Sequence, residues 1–283
     1  MKAITSVTAT SPARAVALAE AAGQAGRAAA YAGGGSDLLA LMKDRVVDPD
    51  LVISLKGLRE QAGIAATDTG TTIGGQTTLS AIAASAAIGA SYPVLAEAAA
   101  TVATPQIRNV GTIAGNICQR PWCWYFRNGF PCFKAGGNQC FSFGGENQFH
   151  AIFGGGPSYI VHPSDTAPAL AALEARFRIA GPRGFRTVTA ADFFVLPRVD
   201  AVHENVLADD EVLEAVLVPL ADRTVRSAYH KVLDREAWTH AVVSVAVVLQ
   251  MDAEICTRAR IVLGGVAPVP WRVVEAERVL EGQ

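Results

Sequence analysis

Apolar and polar positions alternate weakly from Ile4 to Thr10, which predicts an opening strand. Ser11-Pro12 then offers a capping hydroxyl and a proline suited to the first helical position. The helix predicted from them runs through Ala13–Ala22 and stops at Gly23. Ala28–Ala32 reads as a short buried strand, Leu38–Lys43 has helical spacing, and Val52–Leu55 reads as another strand, so the chain opens on a small βαβ-type unit. Residues 62–75 predict a β-hairpin, and Leu79–Ala87 and Pro93–Val102 predict helices. Further on, Ser158–Val161 predicts a strand. Pro163-Ser164-Asp165-Thr166-Ala167-Pro168 opens a helix over Ala169–Leu173, and strands follow at Phe177–Ala180 and Val212–Val218. Pro219 marks a boundary and Ala221–Thr224 reads as a linker. Ser227–Leu233, Ala241–Leu249, Ala259–Val266 and a last helix from Trp271 to Leu280 then make a small α+β unit, marginal by size unless it docks on the rest.

Composition narrows the partners. The 283 residues suffice for one large domain or two moderate ones. A formal net charge of −2 gives no reason to expect nucleic acid. No apolar run reaches membrane-spanning length without a charge or a turn residue, so no membrane span is expected. Met1-Lys2-Ala3-Ile4-Thr5 lacks the apolar core of a signal peptide, so the expectation is a cytoplasmic protein, or one exported folded with a leader-bearing partner. His150, His162, His203, His230 and His240 fall without metal spacing and read as structural.

Four of the five cysteines, Cys118, Cys123, Cys132 and Cys140, crowd into one stretch, whereas Cys256 stands alone in an apolar run and reads as an inert buried thiol. Three readings compete. Disulfides need an oxidising compartment. Structural zinc is usually held by close C-x-x-C-like pairs, and here the gaps are four, eight and seven residues. A [4Fe–4S] cube takes four thiolates and tolerates a wrapping loop. Around the thiols, Trp122, Trp124, Tyr125, Phe126, Phe130 and Phe133 could form a dry shell. Arg120, Arg127 and Lys134 could offset negative charge, and Gly136 and Gly137 could bring N–H groups to sulfur, all of which suits a cluster.

The turn Gly33-Gly34-Gly35-Ser36-Asp37 is the second informative site. Three glycines can present bare backbone N–H groups and Ser36 can cap the next helix, an arrangement suited to a pyrophosphate and equally to plain chain reversal. It is neither G-x-G-x-x-G nor a P-loop. The stretch from Thr104 to Asn116, rich in small, hydroxyl and amide side chains, could supply a second set of donors to a ligand with two phosphates and a long sugar-like chain. Asp165 reads as a helix-end carboxylate or as an acceptor for ligand hydroxyls.

Four segments in this order resemble the FAD-binding medium subunit of molybdenum hydroxylases, the family of bacterial xanthine dehydrogenases, carbon monoxide dehydrogenase and aldehyde oxidoreductases. They are Ala32–Leu39, Thr104–Asn116 centred on Gly111-Thr112-Ile113-Ala114-Gly115-Asn116, Ser164–Pro168, and Tyr229-His230-Lys231-Val232 with Asp234-Arg235. The resemblance implies an α+β fold: a two-part FAD-binding domain of the PCMH or vanillyl-alcohol-oxidase type over residues 1–222, divided into 1–56 and 57–222 with an iron–sulfur loop at 117–150. A small carbon monoxide dehydrogenase flavoprotein-type C-terminal domain, apparently short, would occupy 223–283. It implies FAD held by Tyr31, Ala32, Gly33, Gly34, Gly35, Ser36, Asp37 and Leu38, and by Thr104, Gly111, Thr112, Ile113, Ala114, Gly115 and Asn116. Asp165 would accept from ligand hydroxyls, and Leu213 and Lys231 would lie near its ends. The cysteine loop is similar to that of the subset carrying a [4Fe–4S] cluster, which implies Cys118, Cys123, Cys132 and Cys140 as ligands. Function would be electron transfer, from a large molybdenum-cofactor subunit through a small [2Fe–2S] subunit to FAD and on to an external acceptor, with no catalytic side chain in this chain. Two alternatives stay open: a 4-hydroxybenzoyl-CoA reductase-type subunit with reversed electron flow, and a zinc-binding scaffold without flavin.

Overall fold

The computed structural model describes residues 3–222, 224–236 and 239–283. The chain opens with β1 (Thr5–Thr8), α1 (Pro12–Gln24), β2 (Ala29–Ala32), α2 (Ser36–Lys43) and β3 (Leu51–Ser54). The strands form a parallel sheet in the order β1-β3-β2, with Leu51 opposite both Thr5 and Ala29. Ser11 Oγ accepts the Arg14 N–H and Pro12 occupies the first turn of α1, as the dipeptide predicts. Helix α1 buries Ala15, Val16, Ala19 and Ala22 against Leu51 and Ile53, and Ala180 and Val212 of the next unit join this small core. The triglycine turn therefore leaves β2 at the edge of a sheet anchored from both sides.

The second unit begins with the hairpin β4 (Ile64–Thr67) and β5 (Gly70–Gly74). Five short helices follow: α3 (Leu79–Ala83), α4 (Ala86–Ser91), α5 (Pro93–Ala100), α6 (Pro105–Val110) and α7 (Ile113–Ile117). The single helix expected over Leu79–Ala87 is two, because Ser85 turns its hydroxyl onto the Ile88 N–H at 3.3 Å and starts its own helix. After α8 (Trp124–Arg127) in the cysteine loop come α9 (Thr166–Ala172), β6 (Arg176–Gly181), β7 (Gly184–Thr189), α10 (Ala190–Phe193) and β8 (Val212–Pro219). These strands form an antiparallel sheet in the order β4-β5-β8-β6-β7. The sequence reading missed β7 because its side chains are almost all exposed and show no apolar period. The strand expected at Ser158–Val161 does not form. Its backbone bonds are single: the Tyr159 carbonyl accepts the Ala151 N–H, and the N–H of the next residue, His162, donates to the Ala267 carbonyl.

The last unit is an antiparallel sheet of β9 (Val225–Val232), β10 (Val243–Asp252), β11 (Ile255–Gly264) and β12 (Trp271–Arg272), covered by α11 (Val274–Leu280). Trp271 and Arg272, expected in the final helix, pair instead with Leu263 and Val262. The linker expected at Ala221–Thr224 includes Arg223, which lies outside the described residues. Tyr229, Ala246 and Val262 enter the main core with Leu95, Leu170 and Phe177, so this sheet and the second unit share one interior.

That interior contains a neutral histidine. His162 is 4% exposed, stands edge-on to Phe194 at 4.8 Å, and accepts the Ser164 N–H at Nδ1. Burial pushes its imidazole down to about 4, from a usual value near 6.5. The unfolded chain takes up a proton near pH 6.5 and the folded chain only near pH 4, so stability falls as pH drops across that window. The expected result is a melting temperature that falls between pH 7 and 5, and falls less in His162→Gln; thermal melts at stepped pH measure it.

Candidate functional site

Two backbone segments meet along the wall of a cavity of about 1030 Å³. The first is the turn between β2 and α2. Gly35 there has φ 78°, a left-handed conformation that favours glycine, and an added Cβ on Gly34 would collide with the Val110 carbonyl and lie 3.0 Å from Gly111 Cα. The second segment is built by two capping threonines. Thr104 Oγ1 accepts the Ile107 N–H and starts α6, and Thr112 Oγ1 accepts the Gly115 N–H at 3.1 Å and starts α7. The Ile113 and Ala114 N–H groups bond the Thr77 and Gly75 carbonyls, which fixes α7 to the end of β5. At its far end Asn116 Oδ1 accepts from both Ser164 Oγ and Thr166 Oγ1 at 2.6 Å.

All eight residues from Tyr31 to Leu38 line the cavity, with Gly111, Thr112, Gly115, Asn116 and Asp165. The other expected residues lie elsewhere. Thr104 sits at the outer start of α6, and Ile113 and Ala114 turn into the core. Leu213, on β8, is 3% exposed among core side chains and does not reach the cavity. Lys231 stands behind Asp165, its ammonium donating to Asp165 Oδ2 at 2.7 Å and to the Thr101 and Thr239 carbonyls. Asp165 itself is not an open acceptor, since Tyr229 Oη donates to its other oxygen at 2.9 Å. A carboxylate this buried has to be paired, and its partners are internal.

The cavity has a wall that the sequence reading did not assign to it. Trp122 and His240 both line it, their rings 5.5 Å apart, and the Arg127 guanidinium lies 4.2 Å over the Trp122 ring. Burial pushes the His240 imidazole down to about 4, so it is neutral at pH 7. Nothing local in the sequence joins His240 to Trp122; only the packing of the last unit does. Tyr31 Oη is buried without a partner, and burial followed by the carboxylates of Asp210, Asp209 and Glu211 raises its phenol above the usual range.

Asp37 lines the cavity and also fastens the cysteine loop. Its Oδ2 accepts the Arg120 N–H at 2.9 Å and its Oδ1 accepts from Arg127 Nη2 at 2.7 Å. A second fastening is Glu204, which pairs with Lys134 at 2.9 Å and Arg120 at 2.8 Å. The three cations expected to offset thiolate charge are therefore engaged by two carboxylates. Charge-assisted hydrogen bonds of this kind contribute about 1.5–3 kcal/mol. Asp37→Ala is expected to lose about that much in urea unfolding and to open residues 118–150 to limited proteolysis.

Within the loop, Cys132 is buried with Leu41 and Phe126, and Cys123 and Phe141 pack on them. Burial raises the Cys123 thiol. The Phe126 and Tyr125 N–H groups at the start of α8 pull it back, and the nearby Cys132 and Cys140 thiols push it up again. Cys140 Sγ is 3.1 Å from Ser142 Oγ, and His150 Nε2 is 3.3 Å from Cys123 Sγ. Cys118 differs: it ends α7, packs on the main core, lines the cavity and is pushed up by burial to about 12. The aromatic shell is only partly dry, with Phe126 buried but Trp124 61% exposed. The Gly137 N–H donates to the Cys132 carbonyl at 2.8 Å and not to sulfur. Among the described residues no three His, Cys, Asp or Glu side chains converge on a single metal position, and no helix is long and apolar enough to cross a membrane.

Comparison with known proteins follows this geometry. A family model described as the FAD binding domain in molybdopterin dehydrogenase matches residues 2–221, and one described as the CO dehydrogenase flavoprotein C-terminal domain matches 227–283. The chain is 36% identical over 259 residues to the aldehyde oxidoreductase FAD-binding subunit PaoB of Escherichia coli, covering 89% of this chain and 79% of that one. It is 31% identical over 251 residues to the carbon monoxide dehydrogenase medium chain of Hydrogenophaga pseudoflava, covering 88% and 71%. It superposes with a TM-score of 0.77 and 29% identity on the structure of carbon monoxide dehydrogenase from Hydrogenophaga pseudoflava lacking the Mo-pyranopterin moiety, over 100% of this chain and 81% of that one.

Proposed function

Since this chain belongs to the family of FAD-binding medium subunits of molybdenum hydroxylases, we propose that it holds FAD in the cavity walled by these two backbone segments and serves as the electron-transfer subunit of a multi-subunit oxidoreductase. The observation that carries this reading is the closure of the triglycine turn on Val110-Gly111-Thr112, an approach that tolerates no Cβ on Gly34 and borders a cavity at the large end of the usual ligand range of about 300–1,000 Å³. FAD would supply reversible hydride and single-electron chemistry.

This chain's residues bind and orient. Backbone N–H groups at Gly33–Ser36 suit a pyrophosphate, and the N–H groups of Gly111 and Ile113–Asn116 are spent on internal acceptors that hold the neighbouring segment rigid. Tyr31 contributes a hydroxyl with no protein partner. Trp122 and neutral His240 provide an aromatic wall for a planar ring, and Asp165, held by Lys231 and Tyr229, stiffens the floor. The partners in this reading are a large molybdenum-cofactor subunit, a small [2Fe–2S] subunit and an external acceptor. The thiols of the 118–150 loop would carry a [4Fe–4S] cluster beside the flavin, a reading supported by Cys123 and Cys132 sharing one aromatic pocket with backbone N–H groups directed at Cys123.

Absorbance of the purified full chain tests this. Flavin bands, FAD released on denaturation, and a broad iron–sulfur shoulder are expected. A colourless protein that neither takes up FAD nor melts higher in its presence would overturn the reading.

A further inference from the structure

The triglycine turn runs straight into a carboxylate. Asp37 follows Ser36, sits in the first turn of α2 and lines the cavity beside the backbone N–H groups of Gly33–Ser36. Left bare, its charge would repel any phosphate that those N–H groups attract. The cysteine loop supplies the counter-charge. Arg127 Nη2 lies 2.7 Å from Asp37 Oδ1, on a side chain only 6% exposed. The guanidinium is locked in that place: its Nε donates to the Pro121 carbonyl at 3.0 Å, and its Nη2 also donates to the Arg120 carbonyl at 3.1 Å. Its flat face lies 4.2 Å over the ring of Trp122, which lines the cavity where Arg127 itself does not. Glu204 takes up the side chains of Arg120 and Lys134, so the other two cations of this stretch are spent elsewhere.

Resting on the reading of the triglycine turn as a pyrophosphate cradle, we propose that Arg127 is a positioning residue of the FAD site: from the cysteine loop it cancels the charge of Asp37 where that carboxylate borders the diphosphate. Arginine suits this task, because its charge does not titrate and its fork reaches one carboxylate and two carbonyls at once. Asp37 in turn gives the guanidinium the partner that a buried charge needs. One ion pair thereby joins loop and cradle. The affinity for FAD is set in part by a side chain that acts on the cavity only through Asp37 and Trp122.

The test is the dissociation constant for FAD, from fluorescence titration of the full-chain apoprotein, with circular dichroism as the check on folding. Arg127→Gln is expected to bind FAD about thirtyfold more weakly, because Asp37 is then bare. Arg127→Lys, which keeps the charge, is expected to recover most of that loss. Asp37→Asn is expected to bind FAD about threefold more tightly than the parent, since the positive charge remains and the negative one is gone. Asp37→Asn combined with Arg127→Gln is expected to return to within about threefold of the parent, because the two effects share one pair. Damage to the fold would weaken binding in every variant, so the gain in Asp37→Asn and the recovery in the double variant separate charge from damage. Asp37→Asn decides alone should Arg127→Gln not fold. Parent-like affinity in folded Arg127→Gln, weaker binding in Asp37→Asn, or a double variant no better than Arg127→Gln overturns the proposal. A parent protein that binds no FAD overturns the cradle reading itself, and with it this proposal.

Discussion

Gly34→Ala is expected to raise the dissociation constant for FAD about a hundredfold, roughly 2.8 kcal/mol at 1.4 kcal/mol per decade. The added Cβ would lie 2.6 Å from the Val110 carbonyl carbon, closer still to its oxygen, and 3.0 Å from Gly111 Cα. Those are main-chain atoms, held because the Gly111 N–H bonds the Ile107 carbonyl and the Leu79 N–H bonds the Gly111 carbonyl. No rotamer change relieves the clash, so the turn and the second segment must separate. The backbone donors of the turn are then displaced from the cavity wall that they share with Gly111 and Thr112. Overpacking of this kind also costs about 1–3 kcal/mol in stability. Gly33→Ala is expected to be milder, because its Cβ meets the Thr112 and Gln76 side chains. Gly89→Ala, on a helix with nothing within 4 Å, is the control and should bind FAD like the parent. Flavin fluorescence titration of the apoprotein gives the three constants, and a Gly34→Ala constant equal to that of the parent would remove the main support for the cradle.

The contrast between Gly34 and Asp37, three residues apart, shows what the sequence makes legible. The Ser11-Pro12 start and the threonine caps are local: each is satisfied by a residue three positions away, so spacing alone reveals it. Charged side chains are not local. Asp37 is met by Arg127 and Asp165 by Lys231, partners brought together only by the packed chain, and a sequence displays the charges without the pairing. For the same reason Arg120, Arg127 and Lys134 looked like counter-charges for thiolates until Glu204 and Asp37 were seen beside them. Periodicity fails where exposure is uniform, as in β7. It also misleads where an apolar run finds no neighbouring strand, as at Ser158–Val161. Of the four ordered motifs the glycine turn and Thr104–Asn116 are backbone devices, whereas Ser164–Pro168 and Tyr229–Val232 meet through the side chains of Asp165, Tyr229 and Lys231.

Lys231→Met is expected to destabilise the protein by about 3–5 kcal/mol, the range for breaking a buried ion pair by removing one partner. Lys231 has a side chain 1% exposed and Asp165 one 7% exposed, so the pair is buried on both sides. Loss of the ammonium leaves Asp165 with Tyr229 Oη alone and strips a donor from the Thr101 and Thr239 carbonyls. Asp165 precedes α9 and Lys231 sits on β9, so the pair also ties the last sheet to the unit that forms the cavity floor. Asp165→Asn with Lys231→Met is expected to recover much of the loss, since replacing both partners of such a pair leaves no buried net charge. The sign of the pH dependence follows from the carboxyl. Burial pushes its pKa up, and Lys231 and Tyr229 oppose that push. Burial already outweighs that opposition in the parent, and without Lys231 the carboxyl rises further, so the folded variant binds the proton still more tightly than the unfolded chain, whose carboxyl titrates near 3.9. Both chains keep the buried neutral His162, which costs stability as pH falls from 7 towards 4, so Lys231→Met should lose less stability than the parent over that range. Urea unfolding at pH 7 and pH 5 measures both slopes, and parallel slopes would show that Lys231 does not hold the charge of Asp165.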